Sequence, residues 1–274
     1  LRDSSAGKLQ LKAEPMFIRR PIREESERRR RRRLEISIAS DALRRFIRSP
    51  AGTNRRPRIL EVGTGKGCQL KQLNAMGDVV ASDLVRDPKL ADVETPFVWC
   101  DITRAPFVDG AFDLVYCCHV LDSVVDLKCA LTEMRRVCAP RHGIVAAIVA
   151  TSLWIWLSIP FQVLDQSAAL LRHLRVSRRQ HSVGSGCDHR SRLPARKPGL
   201  LRGHGRYRGF WEFHCGCRPA EWRKQFKESG LDVVHEERLL LCGPSQCPVV
   251  PTSRWVAKMG ISSERLFILR PRTA

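Results

Sequence analysis

Residues 61–67 read Glu61-Val62-Gly63-Thr64-Gly65-Lys66-Gly67, three glycines at alternate positions behind an acid. That spacing suits a tight turn whose backbone comes close to a ligand with no Cβ in the way. Asp83 stands 20 residues after Gly63, where a carboxylate can accept hydrogen bonds from both hydroxyls of a ribose. Asp101-Ile102 adds a carboxylate for an exocyclic amine and an apolar face for an adenine. The chemistry these residues suit is the holding of a nucleoside-bearing ligand. A dinucleotide fingerprint would place its third glycine at position 68, which is Cys68.

These residues must be positioned by strands, and short apolar runs precede each of them. The pattern predicts strands over 58–62, 79–82, 97–100, 112–118 and 143–149, with helices over 67–76 and about 127–138. Strands alternating with helices make a parallel sheet covered on both faces, and such sheets bind ligands at the carboxyl ends of their strands. Further on, Pro219–Ser229 reads as a helix with Gly230 as its C-terminal cap, and 231–241 and 266–269 read as closing strands.

Residues 57–150 resemble the core of a class I S-adenosylmethionine-dependent methyltransferase, closest to the small-molecule branch called methyltransferase type 11. The likeness rests on the glycine turn, on Asp83, on Asp101 to Val124 (DITRAPFVDGAFDLVYCCHVLDSV) and on Glu133 to Gly143 (EMRRVCAPRHG). It implies an α/β fold: a Rossmann-like three-layer sandwich, mostly parallel, seven-stranded, with an antiparallel last strand. It further implies S-adenosyl-L-methionine as cofactor, held by Glu61, Gly63, Thr64, Gly65, Gly67, Asp83, Leu84, Asp101, Ile102 and Cys118. Candidate bases near the methyl group are His119 and Tyr116, with His214 as a third. Three departures stand out: Cys138 replaces a usual Leu, Arg141-His142-Gly143 replaces a double glycine, and Asp122-Ser123 replaces a frequent His.

The implied reaction is in-line transfer of a methyl group to a small-molecule or lipid-like acceptor. An Asn/Asp-Pro-Pro-Tyr/Phe motif for amino groups of bases or of glutamine does not follow the fourth strand, and no Pro-Cys pair for cytosine C5 is present. The uncharged, Trp-bearing stretch after residue 150 suggests a lid for a greasy acceptor. RNA or protein acceptors, and a non-catalytic basic binding module, are the alternatives.

The chain has 274 residues, is 43 % apolar and carries a formal charge of +20. The apolar share excludes a fully disordered polybasic chain, and the charge is local. Residues 18–48 carry +7 and residues 172–208 carry +10, whereas residues 49–171 sum to −1. The expected organisation is therefore a basic arm and leading helix over 1–48, a cofactor-binding core over 49–150, a partly disordered lid or insertion over 151–208, and a C-terminal part over 209–274. The arginines 28–33 read as a solvated charged arm. The basic appendages allow nucleic-acid contact.

The 11 scattered cysteines lack a pair of CxxC motifs and read as reduced, small hydrophobes. No metal is expected, the alternative being zinc on His214, Cys215, Cys217 and Cys187 or His189. The 22 residues from Gly143 to Leu164 carry no formal charge, yet they begin as a buried strand and Pro160 interrupts them. A transmembrane span is not expected there, peripheral membrane contact stays open, and the expected location is cytoplasmic, with nuclear or organellar sites also open.

Overall fold

The computed structural model describes residues 22–47, 54–90, 94–159, 206–242 and 253–272. The predicted arm up to residue 21, and the insertion from 160 to 205, lie outside the described residues.

The first described element is a long helix, α1 (Ile22–Phe46), and the strand β1 (Arg58–Val62) follows it. The glycine turn leads to a short helix α2 (Leu70–Asn74), then β2 (Asp78–Asp83) and β3 (Phe97–Trp99). Next come β4 (Leu114–Cys118), α3 (Leu127–Val137) and β5 (Ile144–Ala150), with residues 152–159 helical (α4). The chain closes with α5 (Phe210–Gly216), α6 (Pro219–Glu228), β6 (Leu231–Arg238), α7 (Arg254–Lys258) and β7 (Glu264–Pro271).

The strands form one sheet in the order β3-β2-β1-β4-β5-β7-β6. β1 to β5 pair in parallel, and β7 runs antiparallel to both its neighbours, β5 and β6. This is the Rossmann-like architecture that the sequence implies. Every residue of β5 is buried, because helices cover both faces of a parallel sheet. One face packs on α1 and α2 through Ile36, Ala39, Leu43, Leu70 and Leu73. The other packs on α3 and α6 through Leu131, Met134, Trp222 and Phe226. In α3 the buried residues Leu127, Ala130, Leu131, Met134 and Val137 repeat at helical spacing, and Asp126 caps the helix by accepting from the Cys129 amide at 2.9 Å.

Three expectations change. The helix foreseen over 67–76 is confined to Leu70–Asn74, since Gly67 has φ +67° and left-handed backbone cannot open a right-handed helix. β6 ends at Arg238, with an irregularity between Val233 and His235, and β7 is longer than foreseen. The arginines 28–33 are not a solvated arm: they lie within α1, and Arg31 and Arg32 turn inward onto buried Glu35. Among the described residues no helix is long and apolar enough to cross a membrane; Ile144–Ala150, expected as a buried strand, is one.

Candidate functional site

Strand order reverses between β1 and β4, and in an open α/β sheet that reversal opens a crevice at the strands' carboxyl ends. The glycine turn lies there. Gly63 and Thr64 donate their amides to the Ser82 carbonyl at 2.8 and 3.1 Å, which ties the turn to the end of β2. Gly63, Gly65 and Gly67 all have positive φ, of 73°, 54° and 67°. A Cβ on Gly63 would meet Val120 Cγ2 at 2.2 Å, so there glycine permits close packing against the segment after β4. Gly65 differs, because a Cβ there would meet nothing within 4 Å. Its outer side is an open cradle.

Asp83 reaches into that cradle from the end of β2. Its Oδ2 accepts from the Gly65 amide at 2.8 Å. The next two residues, Leu84 and Val85, are 68 % and 64 % exposed, an apolar step beside a carboxylate. Glu61 lies beneath the turn at 3 % exposure, with Oε2 unpartnered. Burial pushes its carboxyl up to about 8, against the Thr64 hydroxyl. A buried orphan acceptor under an open glycine cradle fits a ligand that brings a positive or hydrogen-bond-donating group.

Asp101 caps a 3-10 turn over 102–104, and its Oδ1 accepts from the Thr103 amide and hydroxyl at 2.9 and 2.8 Å. Those bonds hold its carboxyl below the usual range. Ile102, foreseen as a face for an adenine, is instead largely buried in the core beside Cys100 and Ala105.

Tyr116 is corrected as a candidate base: it faces α1 from mid-strand with no exposure, and burial pushes its hydroxyl well up. It cannot reach an acceptor in the crevice. His119, immediately after β4, has φ +55°, a left-handed value that few non-glycine residues adopt. Its side chain is 9 % exposed, with Nε2 lying 3.5 Å from both Glu35 Oε2 and Glu264 Oε1. His214 packs elsewhere, its ring 5.6 Å from Trp156 and 6.0 Å from Trp211.

No sequence motif marks the cluster around His119. Arg32 Nη1 donates to Glu35 Oε2 at 2.9 Å and to Cys118 Sγ at 3.5 Å, and Gln69, just past the glycine turn, donates to the Arg32 carbonyl at 3.0 Å. The arginine-bearing turn of α1 is thus clamped against the loop that follows Gly67. Glu35, Cys118 and His119 bring a carboxylate oxygen, a thiol and a ring nitrogen within 4.8 Å of one another. The guanidinium of Arg32 already supplies the positive charge among them. His214, Cys215 and Cys217 form no such group among the described residues, and Cys187 and His189 lie outside them.

Other motif residues turn out to brace the fold away from the crevice. Asp113, at the amino end of β4, is fully buried and accepts two bonds from Arg55, at 2.6 and 2.8 Å, and one from the Arg58 amide at 2.7 Å. His142 Nε2 is also 2.8 Å from it, so a histidine stands where the related pattern has glycine. Arg136 binds Glu133, Asp109 and the carbonyls of Ala105 and Phe107, locking α3 to the 105–109 loop. A cavity of about 340 Å³ between α3, α5 and α6, lined by Tyr207, Glu212 and Glu221 among others, contains none of the predicted site residues.

Residues 60–146 match the family Methyltransf_11, described as a methyltransferase domain. A demethylmenaquinone methyltransferase from Beutenbergia cavernae is 33 % identical over 135 residues, covering 47 % of this chain and 55 % of that protein. A ubiquinone/menaquinone biosynthesis C-methyltransferase, UbiE, from Cupriavidus necator is 31 % identical over 121 residues, covering 40 % of this chain and 49 % of its own length. The chain thus spans about half the length of the curated relatives it matches. Among solved structures, a chain of the complex between the Haloferax volcanii Trm112 methyltransferase activator and a methyltransferase superposes with a TM-score of 0.52 at 17 % identity, covering 92 % of this chain and 95 % of that one. The CurJ carbon methyltransferase superposes with a TM-score of 0.51 at 16 % identity, covering 87 % and 54 %. These likenesses establish the fold.

Proposed function

We propose, from the premise that residues 60–146 match the Methyltransf_11 methyltransferase-domain family, that this chain is an S-adenosylmethionine-dependent methyltransferase acting on a small, apolar, ring-bearing acceptor of the quinol kind. The observation that carries the reading is the open cradle at Gly65 with the Asp83 carboxylate folded over it. S-adenosylmethionine, when bound, supplies a methyl group activated by a positive sulfur. The protein's work is then alignment, exclusion of water and custody of a proton.

In this reading Gly63, Thr64, Gly65 and Gly67 cradle the methionine part, with Glu61 below. Asp83 holds the ribose, Leu84 lies against the base, and Asp101 flanks it, with Ile102 packed in the core behind. Cys118 borders the methyl position. His119 takes the acceptor's proton. Trp156, Phe210 and Trp211 meet edge to face just beyond β5, the end of the sheet at which the acceptor enters, and provide an apolar wall for its ring. The division into arm, core, insertion and C-terminal part is carried over to this reading. A nucleic-acid acceptor is less favoured, because part of the arginine run is spent on buried ion pairs.

The test is calorimetric titration of the full chain with S-adenosylmethionine. Asp83→Ala and Gly65→Val are each expected to weaken binding by about tenfold or more, or ~1.4 kcal/mol. Unchanged affinity in both would overturn the site. Transfer of labelled methyl to reduced demethylmenaquinone then tests the acceptor class.

A further inference from the structure

Two carboxylates that no motif marks converge on one imidazole. Glu35 of α1 and Glu264, the first residue of β7, are fully buried, and each places an oxygen 3.5 Å from His119 Nε2. Arg31 Nε lies 3.3 Å from Glu35 Oε1 and 3.7 Å from Glu264 Oε1. Arg32 faces Glu35 from the same helix, Tyr116 and Cys118 line the cluster from β4, and Cys242 donates its thiol to Glu264 Oε1 at 2.9 Å. Two guanidinium groups thus face two acids in the interior, where a carboxyl without an opposite charge would be costly. Burial nonetheless pushes Glu35 up to about 7, against Arg32.

Such an arrangement is costly for packing alone, and an apolar set would fill the space at less risk. Its position gives it another use. His119 follows β4 directly, is held by its amide on the Ile148 carbonyl at 2.8 Å, and precedes Val120, which packs on Gly63. Its left-handed backbone is the strained kind that persists where the surroundings fix it. Nε2 is buried without a partner at hydrogen-bond distance, while the two oxygens it faces also accept from Arg32 and Cys118 on Glu35 and from Cys242 on Glu264. Bonds of this type are often long before the substrate arrives and tighten in the complex.

We propose that Glu35 and Glu264 are positioning residues that fix the His119 hydrogen on Nε2, leaving Nδ1 as the lone-pair nitrogen that receives the acceptor's proton. The proposal rests on the methyl-transfer reading. As the acceptor's nucleophilic atom bonds to the methyl carbon, the carbon–sulfur bond breaks with its electron pair left on sulfur, and the proton the acceptor loses goes to Nδ1. A carboxylate that takes a hydrogen bond from one ring nitrogen sets the tautomer and orientation of the other.

The experiment is proton–nitrogen correlation spectroscopy of the full chain carrying ¹⁵N-labelled histidine, with the His119 signals assigned by their loss in His119→Asn. The wild type is expected in the Nε2–H form. Glu264→Met and Glu35→Met should each move a substantial share to the Nδ1–H form, whereas Glu264→Gln, which keeps an acceptor, should retain most of the original form. In parallel, Glu264→Met should slow methyl transfer to reduced demethylmenaquinone by about 10- to 100-fold, the scale on which partners that orient a histidine act, with the KM for S-adenosylmethionine little changed. A wild-type His119 carrying its hydrogen on Nδ1, a measurement that requires no variant to fold, overturns the assignment. So do folded Met variants with an unaltered tautomer. Failure of the wild-type chain to bind S-adenosylmethionine would end the methyl-transfer reading instead, which separates the two failures.

Discussion

Glu61 illustrates how one residue can serve binding and burden stability. It is buried with an unpartnered oxygen, and burial raises its carboxyl from the ordinary 4.5 to about 8. The folded state therefore holds a proton that the unfolded state releases between those values, so folding stability is lost as pH rises through that window. Glu61→Gln cannot titrate and escapes the loss. Its melting temperature relative to the wild type should climb by roughly several degrees between about pH 5 and pH 8, as thermal melts across that range will register. A difference that stays flat with pH would mean that Glu61 is ionised and satisfied beneath the turn. Glu61 was legible in the sequence because it opens the glycine pattern. Glu35 and Glu264 were not: one follows an arginine run that reads as solvated charge, the other follows Ser262-Ser263 like the end of a loop. Nothing local says that the two meet.

At the scale of elements, apolar runs and glycine positions made most strands readable, since each buried strand must be apolar and each ligand turn must be small. What they could not separate was the residue that binds from the residue that braces. Asp113 looks like a member of a ligand-binding series, yet it anchors the amino end of β4 through Arg55, the Arg58 amide and His142. Burial alone would raise its carboxyl, and those partners outweigh it and hold it low. Its stabilisation is therefore present above the ordinary carboxylate range and lost as pH falls through the lowered value. Asp113→Ala should cost about 3 kcal/mol in denaturant unfolding, as expected when one partner of a buried ion pair is removed. Affinity for S-adenosylmethionine in the folded variant should stay within about twofold, a change well under ~1 kcal/mol. A large loss of affinity at intact stability would move Asp113 into the binding set.

For the whole molecule, the charge of +20 is a poor guide to the site. Removing residues 172–208 takes away +10, yet none of the residues assigned to the cofactor lies there. The shortened chain should bind S-adenosylmethionine with unchanged affinity, and calorimetry at low and moderate salt is the check. A marked loss in the folded, shortened chain would bring that stretch into the site.

The same view gives the Glu35–His119–Glu264 contact a meaning in time. Its groups come from the first described helix, the middle of the sheet and the last strand, so it is among the most non-local contacts in the fold. Loop closure on that scale is slow, and a chain leaving the ribosome amino end first has Glu35, Arg31 and Arg32 waiting without β7. Until Glu264 arrives, the two arginines have only one buried carboxylate between them. The step that completes the sheet also completes this cluster, so a nascent or carboxyl-truncated chain would carry the glycine turn and Glu35 without Glu264, the second acid beside the histidine.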